Sequence, residues 1–190
     1  MPRTPLSRIY RPIDKLLEII ARIAASAMVL LVFITMYDVS TRYLGVAKFE
    51  GLNSTMTQEA QYWAHGFLLT LFIGYAYTRQ THVRIDLVRD LLPTKFKYAL
   101  ELFGIICLLM PAAILGALYS YDYAMRSFVD QEVSPSANGL SHFWILKSSL
   151  VAMFGLVGLA GFSQALKCID GLLGKLEGSV TERRVLGGGH

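Results

Sequence analysis

Four long apolar stretches, separated by polar segments, dominate the hydrophobic pattern of this chain. They cover roughly residues 16–37, 60–78, 102–121 and 148–166, and none has a charged residue near its centre. Because about 20 helical residues cross the hydrocarbon core of a bilayer, each stretch is long enough for a transmembrane helix. The pattern therefore predicts an all-α integral membrane protein with four transmembrane helices.

These helices leave little of the chain for anything else. The chain has 190 residues, of which 54% are hydrophobic, and its mean hydropathy is +0.45. We therefore expect no separate soluble domain. The predicted organisation is a tail of residues 1–12, a four-helix membrane domain of residues 13–170 with spans at about 16–38, 58–78, 98–121 and 143–166, and a tail of residues 171–190.

Basic residues are distributed unevenly around the spans. Of the eighteen Lys and Arg residues, thirteen lie in the N-terminal segment up to Lys15, between spans two and three, or from Lys167 onward. Three lie in the other two connections, and Arg22 and Lys147 lie within helix ends. The positive-inside rule then predicts that both termini are cytoplasmic, with Trp63 and Trp144 at the outer ends of their spans. Since the net charge of +4 flanks apolar runs and does not gather on one face, we expect no nucleic-acid partner.

Local signals refine three of the predicted helices. Thr57 is a plausible N-cap for the second helix, with Glu59 in its first turn. Pro111 removes a backbone donor near the middle of the third span and predicts a kink there. The glycines at every third position from Gly155 to Gly161 predict close packing of the fourth helix against its neighbours.

A short motif occurs twice, at the ends of the first and third spans. Tyr37-Asp38 precedes Arg42 as Tyr121-Asp122 precedes Arg126, with 84 residues between the two copies. The repeat is compatible with a duplicated two-helix hairpin. It is equally compatible with two unrelated segments that share the preference of tyrosine for the membrane interface.

The segment from Asp38 to Pro93 resembles a known family, the small (Q-type) membrane subunit of the tripartite ATP-independent periplasmic (TRAP) transporters. The likeness lies in the order and spacing of residues around the second span, and it covers Ile13 to about Asp170. The residues that carry it are Asp38, Arg42-Tyr43, Gln58-Glu59, Trp63, Gly74, His82-Val83-Arg84-Ile85-Asp86-Leu87 and Leu92-Pro93.

The resemblance implies a subunit of the bacterial inner membrane that is not an enzyme and needs no cofactor. Such a subunit pairs with a large polytopic subunit, which holds the sodium and substrate sites and moves as an elevator. A soluble periplasmic binding protein delivers the solute, and the small subunit widens the stationary scaffold. Further residues resemble a subclass associated with organic acids: Ser127, Glu132, Ser134, Trp144 and Lys147.

Contacts with partners are expected from charged and aromatic residues at the two membrane boundaries. The candidates are Asp38, Arg42, Tyr43, Glu59, Trp63, His82, Arg84, Asp86, Trp144 and Lys147. Between spans two and three, charges alternate with aliphatic residues, which predicts a short interfacial helix on the cytoplasmic surface. Anionic phospholipids are expected at nearby basic residues: Arg22, Arg79, Arg89, Lys95 and Lys97.

Two other functions are compatible with a small four-helix membrane protein. A haem-binding anchor of a redox complex would need two axial histidines at one depth, for which His65 and His142 are the candidates. A small autonomous channel or exporter would need polar groups near the midplane. Thr70 is the main polar residue at that depth, so the sequence favours a scaffold.

Overall fold

The computed structural model describes residues 4–47, 49, 51–79, 92–136, 138–176 and 185, and all regular elements among them are helical. The predicted all-α class is therefore confirmed for this part of the chain. The predicted interfacial helix falls on residues 80–91, which lie outside the described residues. The helices are α1 (Ser7–Tyr43), α2 (Ser54–Thr78), α3 (Thr94–Gly104), α4 (Met110–Val129) and α5 (Trp144–Leu172), with a π-helical turn at Ile105–Leu109 between α3 and α4.

Three helices are long and apolar enough to cross a membrane within the described part of the chain. They are α1, the continuous helix Thr94–Val129 formed by α3, the π-helical turn and α4, and α5. The remaining predicted span, span two, lies in α2, which has 25 residues and a length of about 37 Å. Polar residues such as Gln58 and His65 dilute its apolar stretch, and α2 is not one of the three.

The chain divides into two compact units, and four of the helices contribute to both. Unit 1 consists of Met1–Ile19, Ile73–Gly116 and Phe154–His190, and unit 2 consists of Ile20–Phe72 and Ala117–Met153. Each unit therefore contains a segment of α1, α2, α4 and α5, and unit 1 also contains α3.

The first helix begins earlier than the apolar pattern indicates. α1 starts at Ser7, whose N–H donates to the Thr4 hydroxyl at 3.2 Å, and the Ser7 hydroxyl donates to the Thr4 carbonyl at 2.7 Å. Threonine is a favoured N-cap because its side chain accepts an N–H of the first turn. Residues 7–12, assigned to the tail from sequence, are therefore helical, and the helix accommodates Pro12.

The second helix also begins earlier, so the prediction of Thr57 as its N-cap is wrong. The side-chain oxygen of Asn53 accepts the N–H of Met56 at 2.8 Å and caps the helix. Thr57 lies within the first turn, and its hydroxyl donates to the Asn53 carbonyl at 3.0 Å. Asparagine and threonine both cap helices well, and Asn53 is the one that precedes the first helical residue.

A left-handed residue fixes the end of α4. Gln131 has φ of 49°, the N–H of Glu132 donates to the carbonyl of Ser127 at 3.0 Å, and the N–H of Gln131 donates to that of Phe128 at 3.3 Å. This is a Schellman motif, in which glycine usually occupies the left-handed position. The Gln131 side chain also donates to the Phe128 carbonyl at 2.9 Å, which offsets the cost of the conformation.

The irregularity predicted at Pro111 takes the form of the π-helical turn. The N–H of Met110 donates to the carbonyl of Ile105, five residues earlier. Proline has no N–H to continue the regular ladder, so the wider turn occurs directly before it.

The core of unit 1 forms where α3 and the π-helical turn meet α5. Tyr98, Ile105, Cys168 and Val185 form a buried cluster. A Cβ atom at Gly171 would lie 2.4 Å from the Tyr98 ring, so the absence of a side chain at this position makes room for the aromatic ring.

The close helix contact predicted from the glycines of α5 occurs at one of them, Gly161, and a further close contact occurs at Gly74 of α2. A Cβ atom at Gly155 would meet nothing within 4 Å, whereas one at Gly161 would lie 2.6 Å from the Leu109 side chain. At Gly74, within unit 1, a Cβ atom would lie 2.8 Å from the backbone oxygen of Leu156. The α2 residue Gly74 therefore marks the close approach of two backbones.

We expect Gly74→Ala to destabilise the protein by about 1–3 kcal/mol, because the backbone of α5 must move to admit the methyl group. The matched control is Gly155→Ala, which adds the same atom in open space and improves helix propensity. Thermal unfolding in detergent measures both. Equal unfolding temperatures for the two variants would contradict the close contact at Gly74.

Candidate functional site

Unit 2 contains three polar networks, and the first joins α1 to α2. Arg42 makes two contacts with Asp38, at 3.1 Å through Nε and at 3.1 Å through Nη2. With its amide in the orientation that satisfies the network, the Gln58 side-chain oxygen accepts from both terminal nitrogens of Arg42. Asp38 is 8% exposed. The predicted interface residues Asp38 and Arg42 thus form a two-pronged ion pair inside the unit, the stronger geometry for such a pair.

The second network attaches the α4–α5 loop to the start of α2. The carboxylate of Glu59 accepts a hydrogen bond from the Ser134 hydroxyl and another from the backbone N–H of Leu140, the latter at 2.5 Å. The side-chain amide of Asn53 donates to the carbonyl of Asn138 at 2.9 Å. Gly139 lies so close that a Cβ atom there would be 2.5 Å from Glu59 Oε1. Glu59 therefore holds the two sides of this loop together.

The third network attaches the same loop to α5. The Lys147 ammonium donates to the Glu132 carboxylate and lies 3.9 Å from the centre of the Tyr123 ring. The N–H of Phe143 donates to the Glu132 carbonyl at 3.1 Å. Lys147 is mostly buried, with 12% of its side chain exposed. Its charge is therefore compensated by a carboxylate and by an aromatic face.

Aromatic pairs accompany the second and third networks. Trp63 contacts Phe143 edge to face at 5.8 Å, and Trp144 contacts Phe128 in the same way at 5.2 Å. Such pairs add to the energy of apolar burial. Tyr43, by contrast, is 81% exposed at the end of α1. Tyr43 is therefore a predicted interface residue whose side chain is accessible to a partner.

The inner-boundary candidates are only partly described. His82, Arg84 and Asp86, predicted as interface residues, and Arg89, predicted to contact lipid, lie outside the described residues.

The other predicted lipid-contact residues differ in their surroundings. Arg79 lies 3.8 Å from Glu18 and stacks over the Tyr75 ring at 4.9 Å, so its charge is engaged within unit 1. Arg22 and Lys95 are exposed, whereas Lys97 is half-buried. Lipid contact at these positions stays a prediction.

The sequence analysis missed a buried polar cluster in unit 1. Lys167, 5% exposed, contacts the carboxylate of Asp14 at 2.8 Å, and the Ser163 hydroxyl donates to the same carboxylate at 2.6 Å. Asp170 is fully buried and accepts from the Thr4 hydroxyl at 2.5 Å. The cluster attaches the start of α1 to the last turns of α5.

A signal for this cluster is present in the sequence. Ser163, Lys167 and Asp170 are spaced i, i+4 and i+7, which places them on one face of a helix. The apolar run ends at Leu166, so hydropathy alone places Lys167 just beyond the fourth predicted span. α5 continues to Leu172, so Lys167 belongs to the helix.

The Glu132–Lys147 pair gives the α4–α5 loop a defined dependence on pH. The Lys147 ammonium holds the pKa of the Glu132 carboxyl below its ordinary value of 4.5. A carboxyl whose pKa is lower in the folded state stabilises that state above its unfolded pKa, and the contribution is lost as the pH falls through the folded pKa. We expect Trp144 fluorescence, measured in a Trp63→Phe background, to be constant from pH 7 to about 5 and to change below about 4.5.

Glu132→Gln is the control for this titration because it removes the carboxyl but keeps the shape of the side chain. The fluorescence of this variant should lose the acid transition. The same transition in both proteins would show that another group causes it.

The ion pairs and hydrogen bonds of these networks connect helices and loops and thereby stabilise the fold. Among the described residues, no group of three or more His, Cys, Asp or Glu side chains could hold a metal ion. His142 lies in the exposed α4–α5 loop with φ of 64° and Nδ1 at 2.8 Å from the Ser141 hydroxyl, and His65 is exposed on α2. Nothing in these surroundings supports an axial pair for haem.

Comparison with known proteins gives one match. Residues 31–171 match the family model described as tripartite ATP-independent periplasmic transporters, DctQ component. No curated protein and no solved structure matches the chain. The matched range covers well over half of the 190 residues and includes the networks of unit 2. The matched family is a component of transporters and not a family of enzymes. The chain therefore belongs to the DctQ family, the small membrane component of TRAP transporters.

Proposed function

We propose that this chain is the stationary scaffold of a sodium-driven transporter that takes up an organic acid across the bacterial inner membrane. Its partners are a large polytopic subunit, which holds the sodium and substrate sites, and a periplasmic binding protein, which delivers the solute. Both termini are cytoplasmic in this proposal, and α2 completes a set of four spans. The length of α2 and its uncharged centre support that count.

The observation that carries the proposal is the large outward apolar surface of the long helices. Only 11% of the most apolar stretch of α1 is buried within the chain, and the value is the same for Thr94–Val129. In a membrane such surface is covered by lipid or by partner helices. A scaffold that lies beside a larger subunit needs this kind of surface.

The positions and pairing of the charged residues support the same function. Of the buried charged residues in the described part of the chain, Asp38 and Lys167 are ion-paired within their own units and Asp170 accepts a hydrogen bond from Thr4, so these contacts stabilise the fold. A solute pathway instead places ionisable groups near the midplane, where a charge costs about 2.5–3.5 kcal/mol. The helix centres of this chain are uncharged. Exposed Lys95 supports contact with anionic phospholipids at the inner boundary.

Omission of this chain from a reconstituted transporter tests the proposal. Proteoliposomes that contain the large subunit, supplied with the binding protein and a sodium gradient, should show no uptake of the solute until this chain is added. Uptake at the full rate without it would contradict a scaffold function.

A further inference from the structure

The end of α4 carries a row of charged residues on one helix face. Asp122, Arg126 and Asp130 are spaced i, i+4 and i+8, and all three are exposed. With Met125 and Val129 they line a shallow groove of about 360 Å³. We call these five residues the α4 tip.

The charges of the α4 tip are not used inside the chain. Among the described residues, none of these three side chains lies in an ion pair. The same sequence motif at the end of α1 behaves differently, because Asp38 is buried and holds Arg42 at 3.1 Å. One copy of the motif therefore stabilises unit 2, and the other faces outward.

The α4 tip extends beyond the apolar part of its helix. The continuous helix Thr94–Val129 has 36 residues and is about 54 Å long, whereas the hydrocarbon core is about 30 Å thick. Its apolar stretch ends at Tyr121, so the residues that follow project from the membrane. Two of them are apolar and exposed, Met125 at 46% and Val129 at 67%. Methionine, arginine and exposed apolar groups together are typical of protein interfaces.

The surface is also fixed before any partner binds. Phe128, on the same helix turn, packs against Trp144, and the Lys147 ammonium lies over the Tyr123 ring. The left-handed Gln131 fixes the helix end. A surface that is already ordered loses little conformational entropy on association.

We propose that the α4 tip is a docking surface for the soluble binding protein. The partner would present basic side chains to Asp122 and Asp130 and an acidic side chain to Arg126, around a small apolar contact at Val129. The inference rests on the proposed function, in which cytoplasmic termini and four spans place the end of α4 on the periplasmic side. Complementary charges of this kind raise the rate of association and fix the orientation of the partner.

The first test measures solute uptake by the reconstituted complex as a function of binding-protein concentration. We expect Asp122→Asn with Asp130→Asn to raise the half-saturating concentration about tenfold and to leave the rate at saturation unchanged. The control adds lysines in the α4–α5 loop, Ser136→Lys with Ser141→Lys, which changes the net charge by the same amount. An equal shift in the control, or no shift in the aspartate variant, would overturn the proposal.

The second test identifies the partner directly. A photoreactive amino acid in place of Val129 should crosslink to the binding protein, and one in place of Leu108, which is 70% exposed in the π-helical turn, should not. A crosslink from position 129 to the large subunit, or none, would overturn the docking surface. Co-purification with the large subunit is measured on the same samples. If this chain does not co-purify with the large subunit, the proposed function is wrong, and the docking surface that depends on it is wrong as well.

Discussion

Replacement of Asp14 by alanine is expected to destabilise the protein by about 3 kcal/mol. Lys167 is 5% exposed and its ammonium lies 2.8 Å from the Asp14 carboxylate. Removal of the carboxylate takes a counterion away from a buried ammonium, which costs more than an intact pair contributes. Chemical unfolding in mixed micelles measures the difference in the free energy of unfolding.

A second substitution separates the effect of the Lys167 charge from the loss of packing. Lys167→Met in the Asp14→Ala background removes the charge and should recover most of the lost stability. Ser163→Ala removes one hydrogen bond to the same carboxylate and should cost about 1 kcal/mol. If the double variant is no more stable than Asp14→Ala, the buried ion pair does not account for the effect.

Replacement of Glu59 by alanine is expected to detach the α4–α5 loop from α2. The carboxylate accepts hydrogen bonds from Ser134 and from the N–H of Leu140, and each such bond to a charged group contributes about 1.5–3 kcal/mol. The N–H of Leu140 should therefore lose its protection, and its hydrogen exchange should be at least about tenfold faster.

Glu59→Gln provides the graded control because its amide oxygen can still accept one of the two bonds. Its exchange rate at Leu140 should lie between those of the wild type and of Glu59→Ala. The N–H of Thr35, inside α1, is a reference whose exchange should not change. Unaltered protection of Leu140 in Glu59→Ala would show that the carboxylate does not hold the loop.

Hydrophobic patterning predicts the helices because each span contains a long, mainly apolar run with no charged residue near its centre. The boundaries were less accurate, since the capping residues lie outside those runs. Thr4 and Asn53 each start a helix several residues before its apolar part begins. Lys167 falls outside the fourth predicted span for a related reason: the pattern measures hydropathy, whereas a paired lysine can continue a helix.

The tertiary networks could not be predicted from a single sequence. Glu59 is 75 residues from Ser134 and 81 from Leu140, and Asp14 is 153 residues from Lys167. Hydropathy and spacing describe neighbours on one element and do not pair residues across the chain. The local Asp38–Arg42 contact can be predicted from sequence because the two residues are one helical turn apart.

The networks also change the interpretation of the predicted interface residues. Asp38, Arg42, Glu59 and Lys147 carry the charges expected to meet partners, and each is engaged inside unit 2. Asp38 and Arg42 join α1 to α2, and Glu59 and Lys147 hold the α4–α5 loop. The residues left for a partner are exposed ones such as Tyr43 and those of the α4 tip.

The central claim is that this subunit supports transport without holding the cargo. The decisive measurement is equilibrium binding of radiolabelled sodium and of the proposed organic-acid solute, on the purified chain alone and on its complex with the large subunit. We expect saturable binding by the complex and none by the chain alone. Stoichiometric binding of either ligand to the isolated chain would contradict the account.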